Sequence, residues 1–111
     1  MSPADPLGLL PGTLDVLILK TLSLGPLHGY GIARHIAQLS SQVFRVEEGS
    51  LYPALQRLRV KGWVKAAWKQ SPTGRRARYY DLTALGERQL ASALDDFDRR
   101  LLALKRVLKP A

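Results

Sequence analysis

Leu90, Leu94, Phe97, Leu101, Leu104 and Leu108 recur at intervals of four, three, four, three and four residues. That is the unbroken a/d spacing of a helix with one apolar seam, and no other feature of the chain narrows its fold so far. The seam extends over about 27 Å of helix axis. Flanking Asp95, Asp96, Asp98, Arg99, Arg100, Lys105 and Arg106 supply both charge signs, which suits pairing with a second copy. One alternative is that the stripe covers the protein's own core. A chain of 111 residues, however, builds a single domain. A helix of this length outruns what such a domain covers, and its distal half would lie bare in a monomer. The seam residues are therefore expected to form a homodimer interface.

The rest of the chain divides at its glycines and prolines. A first helix is predicted from about Thr13 to Leu24, with Leu14, Leu17, Ile18 and Leu22 on one face. Gly25 and Pro26 stop it, since proline cannot continue the hydrogen-bond ladder. His28 and Gly29 lead into a second helix from about Tyr30 to Leu39, buried along Ile32, Ile36 and Leu39. Val43 to Val46 is a β-prone run, the candidate first strand of a small sheet. Ser50 suits the N-cap of a third helix, which puts Pro53 in the first turn, where its missing N–H costs nothing. Leu51, Leu55 and Leu58 face inward, and Gly62 closes the helix.

Two strand-like runs follow, Trp63 to Lys69 and Ala77 to Leu82, around the turn-rich connection from Gln70 to Arg76. Tyr79 and Tyr80 alternate across a strand, so one packs inward; Trp63 and Trp68 have opposite parity, so at most one is core. Trp63, directly after Gly62, is the better placed to seal the hairpin. Thr83 caps the long last helix, which runs to about Leu108. Helix, helix, short strand, helix, hairpin and long helix is the layout of a winged helix-turn-helix, mainly α with a small β hairpin as the wing. The expected organisation is a flexible arm over residues 1–10, a winged domain over 11–82 and a C-terminal dimerisation helix over 83–111.

Charge is distributed unevenly along this layout. The chain holds 17 Lys and Arg against 9 Asp and Glu, a formal net charge of +8. Between Gly49 and Tyr80 lie 8 basic residues and no acid; 17 less these 8 leaves 9 basic residues against 9 acidic ones elsewhere. A concentrated basic field attracts polyanions, whose binding releases condensed counterions, although a solvated basic face without a partner is the plainer alternative. On the third helix Pro53, Gln56, Arg57 and Val60 point away from the apolar face, with Tyr52 and Arg59 on the flanks. Gln56 can pair bidentately with adenine, and Arg57 with guanine or a phosphate. The start of that helix, with Ser50, is a candidate phosphate seat. At the hairpin tip Thr73, Gly74, Arg75 and Arg76, with Arg78 just inside, can reach a phosphate or a narrow minor groove.

Other functions find little support. There is no cysteine, which removes disulfides, thiolate metal sites and cysteine catalysis. The N-terminal residues lack the pattern of a signal peptide, and no apolar run approaches a membrane span, so a cytoplasmic location is expected. His28 and His35 have no carboxylate placed to orient them, no HExxH, P-loop or GxSxG motif occurs, and the aspartates of the last helix read as a solvated face rather than a metal site. No enzyme activity, cofactor or metal is expected. A winged-helix adapter that binds a protein partner is the alternative to DNA binding. It would present an apolar outward face on the third helix, which Gln56 and Arg57 contradict.

Several runs resemble the PadR family of bacterial transcriptional regulators. They are Gly12-Thr13-Leu14, Gly29-Tyr30-Gly31-Ile32, the stretch from Glu48 through Ser50-Leu51-Tyr52-Pro53 to Leu58, Lys61-Gly62-Trp63-Val64, and Gly74 to Thr83 continuing to Gly86. The resemblance covers Pro11 to about Gly86, and the single last helix is similar to the short-tailed branch of the family. It implies a homodimeric winged-helix protein that represses transcription from an inverted repeat in double-stranded DNA. It also implies that a small aromatic or drug-like effector can release the DNA, from residues the motifs do not define. Carried over by motif, Ser50, Tyr52, Pro53 and Gln56 would face the major groove, Arg75 and Arg76 would sit on the wing, and Tyr30 would lie near the DNA backbone.

Overall fold

The computed structural model describes residues 12–110, so the arm expected over residues 1–10 lies outside the described range. The elements are α1 (Thr13–Leu22), β1 (Leu27–His28), α2 (Gly29–Leu39), α3 (Glu48–Val60), β2 (Val64–Gln70), β3 (Arg76–Leu82) and α4 (Ala84–Leu108). The strands form an antiparallel sheet in the order β1-β3-β2. No described helix is long and apolar enough to cross a membrane.

Helical periodicity builds the core. Ile18, Leu19 and Leu22 of α1, Ile32 and Ile36 of α2, and Leu51, Ala54, Leu55 and Leu58 of α3 are buried together with Val64, Tyr80 and Leu90. Each fully buried Leu or Ile contributes about 1.5–3 kcal/mol. Leu39, expected in the α2 stripe, is instead exposed. It sits in the last turn of α2, and Phe44 from the following loop packs against the core.

The expected Val43–Val46 strand does not form. Phe44 and Val46 do alternate inward onto the core, but among the described residues no strand runs beside them to take up the backbone hydrogen bonds. The sheet's third strand is Leu27–His28, which pairs with Tyr80 and Tyr79. The strand parities otherwise follow the sequence: Tyr80 is buried, Trp63 packs half-buried against the core, and Trp68 stands exposed.

Helix α3 begins two residues before the expected cap. Glu47 is the N-cap, and its carbonyl accepts from the Ser50 and Leu51 N–H groups. Ser50 is therefore in the first turn, and Pro53 lies inside the helix, where it cannot donate to the Gly49 carbonyl. The other end matches expectation. Gly62 at φ 79° ends the helix, the Trp63 N–H bonds the Leu58 carbonyl and the Gly62 N–H bonds the Arg59 carbonyl. This is a Schellman closure.

From this turn the chain is tied directly to α4. Thr83 donates from its N–H to the Trp63 carbonyl at 3.1 Å and from its hydroxyl to the Gly62 carbonyl at 2.7 Å. The same hydroxyl caps α4 by accepting from the Gly86 N–H at 3.0 Å. Gly86 is buried here, and a Cβ at that position would overlap the Trp63 carbonyl oxygen. The helix then runs about 37 Å, in a molecule 57 Å in its longest dimension. Leu90 at the base of the seam is buried in the protomer's own core, and Leu94 packs against that core. Leu90, expected at a dimer interface, is thus already covered. Farther along, Leu104 is 43% exposed, Leu108 70% and Val107 81%.

Candidate nucleic-acid interface

The helix-turn-helix is assembled through one close approach. His28 caps α2, its Nδ1 accepting from the Gly31 N–H at 2.9 Å. A Cβ on Gly29 would lie 2.7 Å from the Tyr52 hydroxyl, so a glycine there lets the tyrosine ring of α3 lie against the start of α2. Burial, with smaller contributions from Glu48 and Tyr80, raises the Tyr52 pKa above its ordinary value. Its hydroxyl is accordingly a neutral donor at physiological pH.

Above this contact stands the wing. Ser71-Pro72-Thr73-Gly74 forms its turn, with the Gly74 N–H bonded to the Ser71 carbonyl at 2.9 Å and Gly74 at φ 88°. Proline suits the second position of such a turn, and the left-handed residue that follows favours glycine. A Ser71–Arg75 backbone bond of 2.7 Å closes the tip. Thr73, Gly74, Arg75 and Arg76 are exposed on it, and Arg78 is half-buried.

Between wing and helices lies an open cleft of about 1030 Å³ that brings together Tyr30, Tyr52, Thr73, Arg75, Arg76 and Arg78. Sequence reasoning chose all of these. It passed over Trp68 and Arg34, which line the same cleft. Arg34 is four residues after Tyr30 on α2, and this helical spacing was the available signal. Ser50, Pro53, Gln56 and Arg57 lie outside the cleft, on the remainder of α3.

Two of those side chains are engaged in the free protein. Arg57 is on the flank facing α1, where it pairs with Asp15 at 3.1 Å. Arg59 donates from both Nε and Nη2 to Gln56 Oε1, at 3.2 and 3.1 Å. The acceptor that Gln56 would use for adenine N6 is therefore already taken, and the pair presents donors outward. The start of α3 is not the open phosphate seat expected of it either. Glu47 and Glu48 stand there, with Glu48 against the positive end of the helix dipole.

A helix-turn-helix, an antiparallel wing and one long trailing helix define the winged helix-turn-helix class of fold. The chain belongs to the transcriptional regulator PadR-like family, whose model matches residues 18–92; that family consists of regulators, not enzymes. Among solved structures, it is similar to a PadR family transcription regulator from Clostridium difficile, with a TM-score of 0.74, 29% identity, and coverage of 87% of this chain and 99% of that one. A transcriptional regulator from Clostridium thermocellum superposes with a TM-score of 0.81 at 24% identity, over 88% of this chain and 95% of that one. Bacillus subtilis PadR in complex with operator DNA matches with a TM-score of 0.65 and 27% identity, over 74% of this chain and 46% of that longer one.

Proposed function

We propose that this chain is a sequence-specific binder of double-stranded DNA that represses transcription, as a cytoplasmic homodimer on an inverted repeat. The observation that supports this best is the cleft flanked by α2, Tyr52 of α3 and the wing, whose lining includes arginines and no carboxylate. In this reading α3 enters the major groove with Pro53, Gln56 and the neighbouring Arg59 toward the bases. Ser50 faces the groove beside them, Tyr30 and Tyr52 contact the backbone, and Thr73, Gly74, Arg75, Arg76 and Arg78 take the adjacent phosphates or minor groove. Dimerisation through Phe97, Leu101, Leu104 and Leu108 is supported by the outer face of α4, where Leu104 and Leu108 are exposed and Phe97 and Leu101 half-buried. The B. subtilis structure with operator DNA lends the reading a precedent.

Release by a small aromatic compound is also part of the proposal. A groove of about 350 Å³ between α1 and α4, bordered by Trp63 and Phe97, is of a size to accept one.

Selection of bound sequences from random duplexes, followed by footprinting, tests the reading. An inverted repeat with half-sites about one helical turn apart is expected. Arg75→Ala with Arg76→Ala should weaken binding to selected and random duplexes together and make the log K against log salt slope shallower by about 1 to 2 units. The absence of any salt-dependent mobility shift would favour the adapter reading instead.

A further inference from the structure

We propose that the cleft between the wing and the start of α2 seats one sugar–phosphate strand of the duplex, with the Trp68 indole packed against a deoxyribose and Arg34 against a neighbouring phosphate. This inference rests on the DNA-binding reading and adds to it two contact residues from outside the recognition helix and the wing tip.

The strand register places Trp68. Val64 pairs with Leu82, Ala66 with Tyr80, Trp68 with Arg78 and Gln70 with Arg76, so these residues share one face of the hairpin. At its base that face is core, with Val64 and Tyr80 buried. One pair farther out the core has ended, and the same face overhangs the cleft with Trp68 60% exposed. The ring contact that folding gives this indole is with the exposed Arg76, and most of its surface is left to solvent.

Charge and shape indicate what meets it. Four arginines, Arg34, Arg75, Arg76 and Arg78, line the cleft with no carboxylate among them. None of the four is in an ion pair among the described residues. The Arg76 guanidinium lies 5.8 Å from the Trp68 ring centre, which keeps a positive charge beside the apolar surface. The neighbouring hollow between α2 and α3 shares Tyr30, Arg34 and Tyr52 with the cleft and includes Glu47 and Glu48, so the acid-free side of Arg34 is the one toward the wing. A small-molecule pocket encloses most of its ligand, whereas Tyr30 at the far wall is 68% exposed. An open trough with apolar and cationic walls fits a chain of alternating sugar and phosphate that enters at one end and leaves at the other.

The chain has two tryptophans, so Trp63→Phe leaves Trp68 as the only one. On titration with a random-sequence duplex at low salt, acrylamide quenching of Trp68 is expected to fall. Its midpoint should coincide with that of the anisotropy of the labelled duplex. The difference between the parent protein and Trp68→Phe gives the same reading if the Trp63 variant does not fold. Trp68→Ala should weaken binding about tenfold, and Arg34→Ala should make the salt slope shallower by about 1 unit. Duplex binding by anisotropy with Trp68 quenching unchanged overturns the strand seat and leaves the DNA-binding reading intact. No duplex binding at all overturns both. Equal protection of Trp68 by a deoxynucleoside monophosphate at matched phosphate concentration would make the cleft a small-ligand pocket and overturn the proposal.

Discussion

Gln56 and Arg59 are three residues apart on α3, and the hydrogen bonds between them change what this part of the helix can read. A free glutamine amide offers a donor and an acceptor, the match for adenine; with Arg59 Nε and Nη2 on its oxygen, the pair offers donors alone, the match for guanine O6 and N7. Gln56→Ala and Arg59→Ala are therefore expected to relax specificity at the same base pair, each costing about 1–3 kcal/mol on the selected site and much less on random DNA. Arg59→Ala should in addition shift the preference there from guanine toward adenine. Binding titrations on duplexes differing at that base pair check both, and losses at separate positions would show that the two residues do not read as a unit. Arg57 poses a different question, because Asp15 competes with DNA for it. Asp15→Asn should cost at most about 1 kcal/mol of stability, as the pair is at the surface. The freed Arg57 should strengthen duplex binding and steepen the salt slope by about 1 unit. The same change in an Arg57→Ala background should do neither, a comparison that separates the freed arginine from the mere loss of an acid. The Gln56–Arg59 contact had a signal in its three-residue helical spacing, but the engagement of Arg57 was not legible in the sequence. Helical periodicity gives the direction in which a side chain leaves the helix, not the partner it meets, and Asp15 is 42 positions away in the chain.

Elements differ in how far the sequence revealed them. Helix α4 was legible because its seam repeats over many turns, and the hairpin because proline and glycine mark its turn. The two-residue β1 has no periodicity to detect; it exists only because β3 passes beside it. The start of α3 was misplaced for a local reason. Ser50 is intrinsically the better cap, but Glu47 is where the chain leaves the extended region, and Glu48 in the first turn complements the helix dipole. The junction of α3, β2 and α4 is the most constrained of these features, and only its capping glycine and threonine could be read in advance. Gly86→Ala would normally favour a helix. Here the added methyl meets the Trp63 carbonyl, a backbone atom that cannot move aside. The expected outcome is a loss of about 1–3 kcal/mol or more, measured by denaturant unfolding. Unchanged stability would show that α4 can shift on the body of the domain.

At the scale of the whole molecule, the long axis comes from α4, whose outer half has no packing partner among the described residues. Because Leu90 and Leu94 serve the protomer's own core, charge placed at them would test folding rather than assembly. Leu101→Glu with Leu104→Glu puts carboxylates into the outer part of the seam instead, where Leu101 is half-buried and Leu104 exposed and a dimer would have to bury them. Light scattering at micromolar concentration is expected to give a monomer mass for that variant and a dimer mass for the parent, with the helical content of the domain retained. An unchanged dimer mass would move the interface elsewhere. The knot at Thr83 has a consequence for such a dimer. With the last helices fixed to each other, each reading head is held at the end of a rigid arm, like the two points of a pair of dividers, and the angle at the Thr83–Gly86 joint sets how far apart the points stand. The joint lies where the arm meets the head, so across a body 24–28 Å deep a change of about 10° there swings the far side of the head by roughly 4–5 Å, more than one base-pair step of about 3.4 Å. The separation of half-sites that such a protein tolerates would then be written where no side chain touches DNA, in the hydrogen bonds of one threonine and the missing methyl of one glycine.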